Sequence, residues 1–354
     1  MPSCPRGNRI EGLALNGDLA HDTAMKNTIT DVPGLRVGQT YDSWVATGVT
    51  AVVFDEPSVA SIATLGGAPG LRDTGLLEPE MTVGAVDAIL LSGGSAFGLD
   101  AAGGAMAALR EMGRGFQVRD IRVPIVPQAI LFDLLNGGDK EWGRASPYPE
   151  LGYQAVMTAG HDVDLGTAGA GYGATTATLK GGLGSASIVT RSGFTVGAIV
   201  AVNAVGTATI GNGRHFWAAP YERGNEFGGL GWHNPLPEDA LQIRLKGGPR
   251  ENTTIAVIST DAVLTKAEAK RVALAAHDGM ARALRPAHTP MDGDVVFAAS
   301  TGRKLLTGGV VDLTEICIAA ADTLARAIAR GVYEASALPF EGALPAWRDG
   351  VMRK

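Results

Sequence analysis

Short runs of apolar residues in this sequence predict buried strands. The runs lie at Thr47 to Phe54, Ala85 to Leu91, Thr195 to Asn203, Thr253 to Ser259 and Val295 to Ala299. Each run is rich in Val, Ile and Ala, a composition typical of strands in a protein interior. A further short strand is predicted at Ile29 to Gly34, where the Pro-Gly pair forms a turn.

Three segments repeat apolar residues every three or four positions, which predicts helices. The first follows the turn Ser92–Ser95, the second begins at a capping box of Thr265 and Glu268, and the third covers about 313–330. Their apolar faces carry Leu99, Ala102, Met106 and Leu109 in the first, Val272, Ala276 and Met280 in the second, and Ile316, Ala320, Leu324 and Ile328 in the third. Because strands and helices mix throughout, we expect one α/β domain with sheets inside and helices outside.

Two stretches lack a regular pattern. Residues 166–187 are dense in Gly, Ala and Thr, and we expect them to form loops that line a cavity, because small side chains let backbones approach closely. Residues 207–239 combine Pro with Trp, Tyr and His, which favours a long excursion that forms one wall of a binding pocket. Trp217 and Tyr221 are the candidate pocket residues of this stretch.

Composition and charge restrict the class of protein. Of 354 residues, 45% are hydrophobic and 19% charged, so the chain can bury a sizeable core. The net charge is −6 and no Lys/Arg run stands out, which argues against nucleic-acid or membrane-surface partners. Only Cys4 and Cys317 are present, which favours a reducing cytoplasm over a disulfide framework. Residues 1–24 lack the apolar core of a signal peptide, and we expect a disordered extension there.

Several common active-site patterns are missing. The predicted strand–turn–helix sequence around Ser95 resembles a nucleophile elbow, but Phe97 stands where that motif needs Gly. The glycines of 169–173 do not match a dinucleotide-binding loop. The six histidines show no metal-ligand spacing, and His277 and His288 are expected to be structural. We therefore expect neither a metal nor a cofactor.

The segment Glu251-Asn252-Thr253-Thr254 permits two interpretations. In the simpler one, Thr253 merely begins a strand, as β-branched residues often do. In the other, its hydroxyl attacks the preceding carbonyl and the chain is cut between Asn252 and Thr253. The freed α-amine, with an ordinary pKa of roughly 7.7–8.0, would then be the general base for the same residue's hydroxyl.

Six segments in order favour the second interpretation. They are ITDVPGLRVG (29–38), LLSGGSAFGLDAAGG (90–104), GAGYGATTATLKGGLGSAS (169–187), AVNAVG (201–206), NTTIAV (252–257) and MDGDVVFA (291–298). With them the chain resembles, over nearly its whole length, a family of self-processing peptidases. That family includes the L-aminopeptidase/D-esterase, the β-peptidyl aminopeptidases and the nylon-oligomer hydrolase.

The resemblance implies a role for particular residues. Asn252 and Thr253 match the cleavage junction, with Thr as the nucleophile of the nylon-oligomer branch. Lys180 would hydrogen-bond the Thr hydroxyl, and Asn203 would stabilise the oxyanion. The pair Asp292 and Asp294 would orient the nucleophile and its ammonium group. Phe132 stands where the nylon-oligomer hydrolase has a Tyr near its active site. Phe132 lacks the hydroxyl of that Tyr, so any contact with substrate or oxyanion that the hydroxyl makes must come from another residue here.

The resemblance also implies an architecture and an activity. The fold would be a four-layer αββα sandwich of the aminopeptidase/ornithine-acetyltransferase type, formed by residues 25–354. The products of cleavage, an α chain (1–252) and a β chain (253–354), would stay associated and assemble into homo-oligomers, often tetramers or octamers. Substrates would be small peptides, aminoacyl amides or esters, or 6-aminohexanoate oligomers. Two alternatives remain: an acyltransferase of the N-acetylornithine type, and a non-catalytic binding or assembly protein whose Asn252–Thr253 bond stays intact.

Overall fold

The structure is a computed structural model that describes residues 25–247 and 252–350. The predicted extension 1–24 lies outside these residues. The strands are β1 (Leu35–Asp42), β2 (Thr47–Thr64), β3 (Gly70–Arg72), β4 (Val86–Ser92), β5 (Phe116–Val118), β6 (Ile121–Val123), β7 (Gln128–Ile130), β8 (Gly182–Val189), β9 (Thr195–Asn203), β10 (Thr253–Ala262) and β11 (Val295–Lys304). The helices are α1 (Ser95–Gly98), α2 (Ala101–Glu111), α3 (Tyr148–Met157), α4 (Lys266–Ala283) and α5 (Val310–Tyr333).

The long strand β2 belongs to two sheets. Its first half pairs with β1 and β4, and its second half, from Val59 to Thr64, pairs antiparallel with β11. Between the halves, residues 55–57 are exposed. The strand order along the hydrogen-bonded path is β3-β7-β4-β2-β11-β10-β9-β8. One sheet is therefore formed around β4 and the other around β10, joined through β2.

Alternation along the strands produces three apolar cores. Ile255 and Val257 of β10 belong to the core between the two sheets, whereas Ile258 belongs to the core beneath α4 and α5. On the other sheet, Phe54 enters the central core and Val53 packs with α2 and α3. Successive side chains of a strand point to opposite faces, so one strand serves two cores. The result is the predicted four-layer αββα sandwich, which is confirmed.

The main predicted strands and helices are present, but two local predictions were wrong. Residues 29–34 do not form a strand: Ile29–Asp31 is a short 3-10 helix in which the Asp31 carboxylate accepts a hydrogen bond from the Thr28 N–H. Residues 166–187 are loop only in part, because β8 begins at Gly182. A Cβ on Gly184 would lie 1.8 Å from the Ala327 carbonyl oxygen. The small residues therefore serve close packing of β8 on α5 as well as loop formation.

A buried ion pair anchors the excursion 207–239, which contains one short 3-10 helix, Ala219–Tyr221. Glu226 accepts from Arg326 Nε at 2.6 Å and Nη2 at 2.9 Å, and from Asn27 Nδ2 at 2.7 Å. The side chains of Glu226 and Arg326 are 8% and 3% exposed. Burial alone would raise the pKa of Glu226, but the hydrogen bond and charge of Arg326 hold it below its ordinary value.

Replacing Glu226 by Gln should lower the free energy of unfolding by about 3 kcal/mol, because the change leaves the Arg326 guanidinium buried without its counter-charge. Denaturant unfolding with an unchanged slope would measure the difference. The control is Asp162→Asn, which removes an exposed ion pair to Lys26 and should leave stability nearly unchanged. Equal stability of the Glu226 variant and the wild type would contradict the prediction.

Among the described residues, no helix has the length and apolar character that crossing a membrane requires.

Candidate active site

Thr253 is the first residue of β10, and its hydroxyl lies against the carbonyl of the preceding residue. Thr253 Oγ1 donates to the Asn252 carbonyl oxygen at 2.5 Å. The Gly293 N–H donates to the same oxygen at 2.9 Å. Asn252 and Thr253 are 2% and 5% exposed, so this arrangement is largely shielded from water. The carbonyl that Thr253 would attack is therefore already polarised by a backbone donor.

Strand pairing brings distant residues to Thr253. β10 runs antiparallel to β9, in a register that places Asn203 directly opposite Thr253. On its other side β10 runs parallel to β11, and an isolated bridge joins Asn252 to Asp292 just before that strand begins. The predicted Asn and the predicted Asp pair thus flank the predicted nucleophile from its two neighbouring strands.

The two aspartates bind different backbone groups. Asp294 Oδ1 accepts from the Thr254 N–H at 2.8 Å, which holds the second residue of β10. Asp292 Oδ2 accepts from the Thr289 N–H at 2.8 Å, while its Oδ1 is buried and has no hydrogen-bond partner among the described residues. Burial, together with the charge of Asp294, raises the pKa of Asp292 to about 6. Asp292 therefore has an unused acceptor beside the cleavage junction.

Asn203 is held by residues from three other segments. Its Oδ1 accepts from the Thr175 N–H at 3.0 Å and from Lys246 Nζ at 2.7 Å. Its Nδ2 donates to the Phe132 carbonyl oxygen at 3.0 Å. These contacts set the orientation of the amide, which is what a preorganised oxyanion donor needs. Lys246 has no local sequence signal that singles it out, because its contact with Asn203 spans 43 residues.

Lys180 was predicted to hydrogen-bond the Thr253 hydroxyl. Within residues 25–247 and 252–350, that contact is not among its hydrogen bonds. Its Nζ instead donates to the carbonyl oxygens of Gly171, Ala174 and Gly181, at 3.0, 2.8 and 2.9 Å. These bonds use all three ammonium protons. Burial lowers the pKa of Lys180 to about 7. Lys180 therefore ties the glycine-rich loop together next to Thr175, which in turn holds Asn203.

Comparison with known proteins identifies the family of this chain. Residues 27–343 match the family model described as peptidase family S58. The chain belongs to peptidase family S58. As a member of a peptidase family, with relatives that include aminopeptidases and an oligomer endohydrolase, it is an amide-bond hydrolase.

Three relatives indicate the range of this similarity. An uncharacterized aminopeptidase of Mycobacterium tuberculosis is 42% identical over 348 residues, covering 91% of this chain and 97% of the relative. A 6-aminohexanoate-oligomer endohydrolase of Agromyces sp. is 26% identical, covering 77% of this chain and 74% of the relative. The structure of the L-aminopeptidase D-Ala-esterase/amidase from Ochrobactrum anthropi, a variant of the Ntn hydrolase fold, superposes with a TM-score of 0.66 at 21% identity. That match covers 90% of each chain and supports the fold.

The candidate pocket residues of the S58 peptidase lie in two cavities. Phe132 lines a cavity of about 190 Å³ next to Asn203, together with Asp133, Thr175, Lys246 and Glu341. Trp217 and Tyr221 line another cavity of about 530 Å³, which also includes Trp232 and Arg285. The lining residues of the two cavities do not overlap. Phe132 is thus the predicted pocket residue that the structure connects to Asn203.

Asp133 was not singled out by sequence reasoning. The residue is 2% exposed, and its carboxylate accepts from Thr47 Oγ1 at 2.7 Å and from the Gly94 N–H at 2.8 Å. Burial raises its pKa despite the opposing charges of Lys140 and Lys246. Its position directly after Phe132 is the one signal that could have identified it.

Across the described ranges, no three His, Cys, Asp or Glu side chains are grouped as a metal ion would require.

Proposed function

We propose that this S58 peptidase cuts itself between Asn252 and Thr253 and then hydrolyses amide bonds with Thr253 as an N-terminal nucleophile. The observation that carries the proposal is the contact between Thr253 Oγ1 and the Asn252 carbonyl oxygen, at 2.5 Å, with the Gly293 N–H on the same oxygen. The hydroxyl, the carbonyl and an oxyanion donor are thus all present in one shielded position.

The processing step is an acyl shift followed by hydrolysis. Thr253 Oγ1 attacks the Asn252 carbonyl carbon, and the C–N bond breaks as the hydroxyl proton passes to the Thr253 nitrogen. The resulting ester links Asn252 to the threonine oxygen. Water then cleaves the ester, which leaves a carboxylate on Asn252 and a free α-amine on Thr253. The α chain 1–252 and the β chain 253–354 stay associated because β10 pairs with β9 from Thr253 to Thr260.

In turnover, the hydroxyl and the amine of Thr253 act together. The amine accepts the hydroxyl proton while Oγ1 attacks the substrate carbonyl and forms an acyl-Thr253 ester. The proton passes to the leaving amine, and water then releases the acyl group. Asn203 stabilises the tetrahedral oxyanion, an effect of about 3 kcal/mol for such donors. Asp292 and Asp294 orient the amine, and Lys180 supports this polarisation through the glycine-rich loop.

We infer small peptides, aminoacyl amides or esters, or 6-aminohexanoate oligomers as substrates. Support comes from the relatives named as aminopeptidases and as a 6-aminohexanoate-oligomer endohydrolase. The proposal includes assembly of the αβ units into homo-oligomers, with a tetramer as the expected form. It also places the enzyme in the cytoplasm, in keeping with its two cysteines.

A denaturing gel with mass spectrometry of the purified, active protein tests the proposal. Two fragments, one of which begins at threonine, are expected. One intact chain in active material would refute it. A screen of aminoacyl-p-nitroanilides beside 6-aminohexanoate oligomers then identifies the substrate class. Acyl transfer to ornithine in preference to water would indicate the acyltransferase alternative.

The pH dependence of kcat/KM should show two ionisations on its acidic side. The Thr253 amine has to be neutral, and amines of this type titrate at roughly 7.7–8.0. Asp292 has to be ionised to hold the amine, and its pKa in the uncut chain is about 6. The slope of log kcat/KM against pH should therefore steepen from about one to about two as the pH falls below the pKa of Asp292. A slope that stays near one down to the limit of stability would contradict this role of Asp292.

A further inference from the structure

His288 contacts the active-site carboxylate Asp294 twice. Its backbone N–H and its imidazole Nδ1 both lie 2.9 Å from Asp294 Oδ2. The backbone of His288 is left-handed, with φ of 57°. Residues other than glycine rarely adopt this conformation, and those that do are frequent at functional sites. The turn thus holds a histidine in a strained conformation that places two donors on one oxygen.

Asp294 transmits this contact to the start of β10. Its Oδ1 holds the Thr254 N–H at 2.8 Å, and its backbone carbonyl accepts from Leu65 and Gly66 at the end of β2. The side chain of Asp294 is 2% exposed and that of His288 is 19% exposed. A continuous chain of short contacts therefore runs from His288 through Asp294 to the residue after the nucleophile.

His288 is also a titratable group that faces the aspartate pair. In its own turn, the charges of Asp292 and Asp294 raise the pKa of His288. From α4, the His277 ring packs edge-on against the His288 ring, with 4.8 Å between the ring centroids. Burial lowers the pKa of His277 to about 4, so that ring is neutral at physiological pH. Burial also opposes the charge on His288, but the hydrogen bond and charge of Asp294 raise its pKa above the ordinary value. The charge of Asp278 acts to raise the pKa of His277. Arg285 is close to His288 in the sequence, but its guanidinium faces the Trp217 ring.

We propose that His288 is a positioning residue for the amide hydrolysis: its imidazolium neutralises and orients Asp294, so that Asp292 remains the carboxylate available to the Thr253 amine. The inference rests on the proposed function of Thr253. A purely structural histidine, by contrast, would close the 288–294 turn without influencing the ionisation of Asp292.

The first test replaces His288 by Asn. Asparagine tolerates the left-handed backbone and retains an amide donor for Asp294, but it carries no charge. Loss of the imidazolium should raise the pKa of Asp292, and the steep acidic limb of log kcat/KM should move toward alkaline pH by about half to one pH unit. We expect kcat to fall more than KM changes. The matched control is His161→Asn, which changes an exposed histidine outside the site and should leave the profile unchanged.

The outcomes separate the inference from the proposed function. A cleaved, active His288→Asn enzyme with the wild-type acidic limb would overturn the role of His288 and leave the Thr253 mechanism intact. An intact chain in active wild-type protein would instead refute the Thr253 mechanism.

A second test works even if His288→Asn fails to fold. NMR titration of carbon-13-labelled histidines in the uncut Thr253→Ala chain should give His288 a pKa above 6.5, and adding Asp294→Asn should lower it. A value at or below 6.5 in the first chain, or no change on adding the second substitution, would overturn the inference.

Discussion

Replacement of Thr253 by Ala is expected to give a single uncut chain of 36.4 kDa that hydrolyses none of the tested amides. The substitution removes the oxygen that lies 2.5 Å from the Asn252 carbonyl oxygen, so neither the acyl shift nor the acyl-enzyme can form. Loss of a covalent nucleophile commonly costs at least about 10⁴-fold in kcat. A denaturing gel and a p-nitroanilide assay would measure the two effects, and Thr253→Ser should retain both cleavage and activity.

Thr254→Ala is the matched control for this experiment. Thr254 is the adjacent residue of the same type, and its hydroxyl is buried without a hydrogen-bond partner in the described part of the chain. Its contact with Asp294 is made by the backbone and survives the change. We expect this variant to be cut and active. Cleavage of the Thr253→Ala chain at the same bond would show that another group performs the processing.

Replacement of Gly293 by Ala is expected to slow self-cleavage strongly and to lower kcat/KM of the chains that are cut by about 10²–10³-fold. A Cβ at this position would lie 2.6 Å from Thr253 Oγ1 and 3.0 Å from Thr253 Cγ2. The hydroxyl would have to move, or the Gly293 N–H would have to leave the Asn252 carbonyl. Gly293 has no left-handed backbone that would add a conformational penalty of its own. The expected loss therefore comes from misplacing the reacting atoms.

Gly75→Ala serves as the control, because a Cβ there meets no atom within 4 Å. Both variants should show circular dichroism spectra like that of the wild type. Normal cleavage of the Gly293→Ala chain would mean that the backbone donor and the hydroxyl are not confined as the structure indicates.

Lys180 illustrates how a resemblance can point to a residue without determining its contacts. The sequence match places it at the family's lysine, and the expected partner is the nucleophile. In the structure its three protons are used by carbonyl oxygens of the loop 171–181. An ammonium group buried to 1% exposure needs such acceptors, and adjacent loop carbonyls supply them at the lowest cost.

What the sequence determined by itself was local. The Val- and Ile-rich runs predicted β9, β10 and β11, and the Thr265–Glu268 capping box marked the start of α4, because strand and helix preferences depend on neighbouring residues. The resemblance named Thr253, Asn203 and the Asp pair as candidate site residues.

Only the tertiary structure decided which groups meet. The register of β9 on β10 put Asn203 opposite Thr253, and the turn before β11 aimed the Gly293 N–H at the Asn252 carbonyl. His288 and Lys246 have no local pattern that marks them as site residues. The contact of His288 with Asp294 depends on a turn conformation. The contact of Lys246 with Asn203 joins residues that are 43 positions apart in the sequence. Both contacts arise from packing. Pairing of side chains across strands is a long-range property, and local preferences do not encode it.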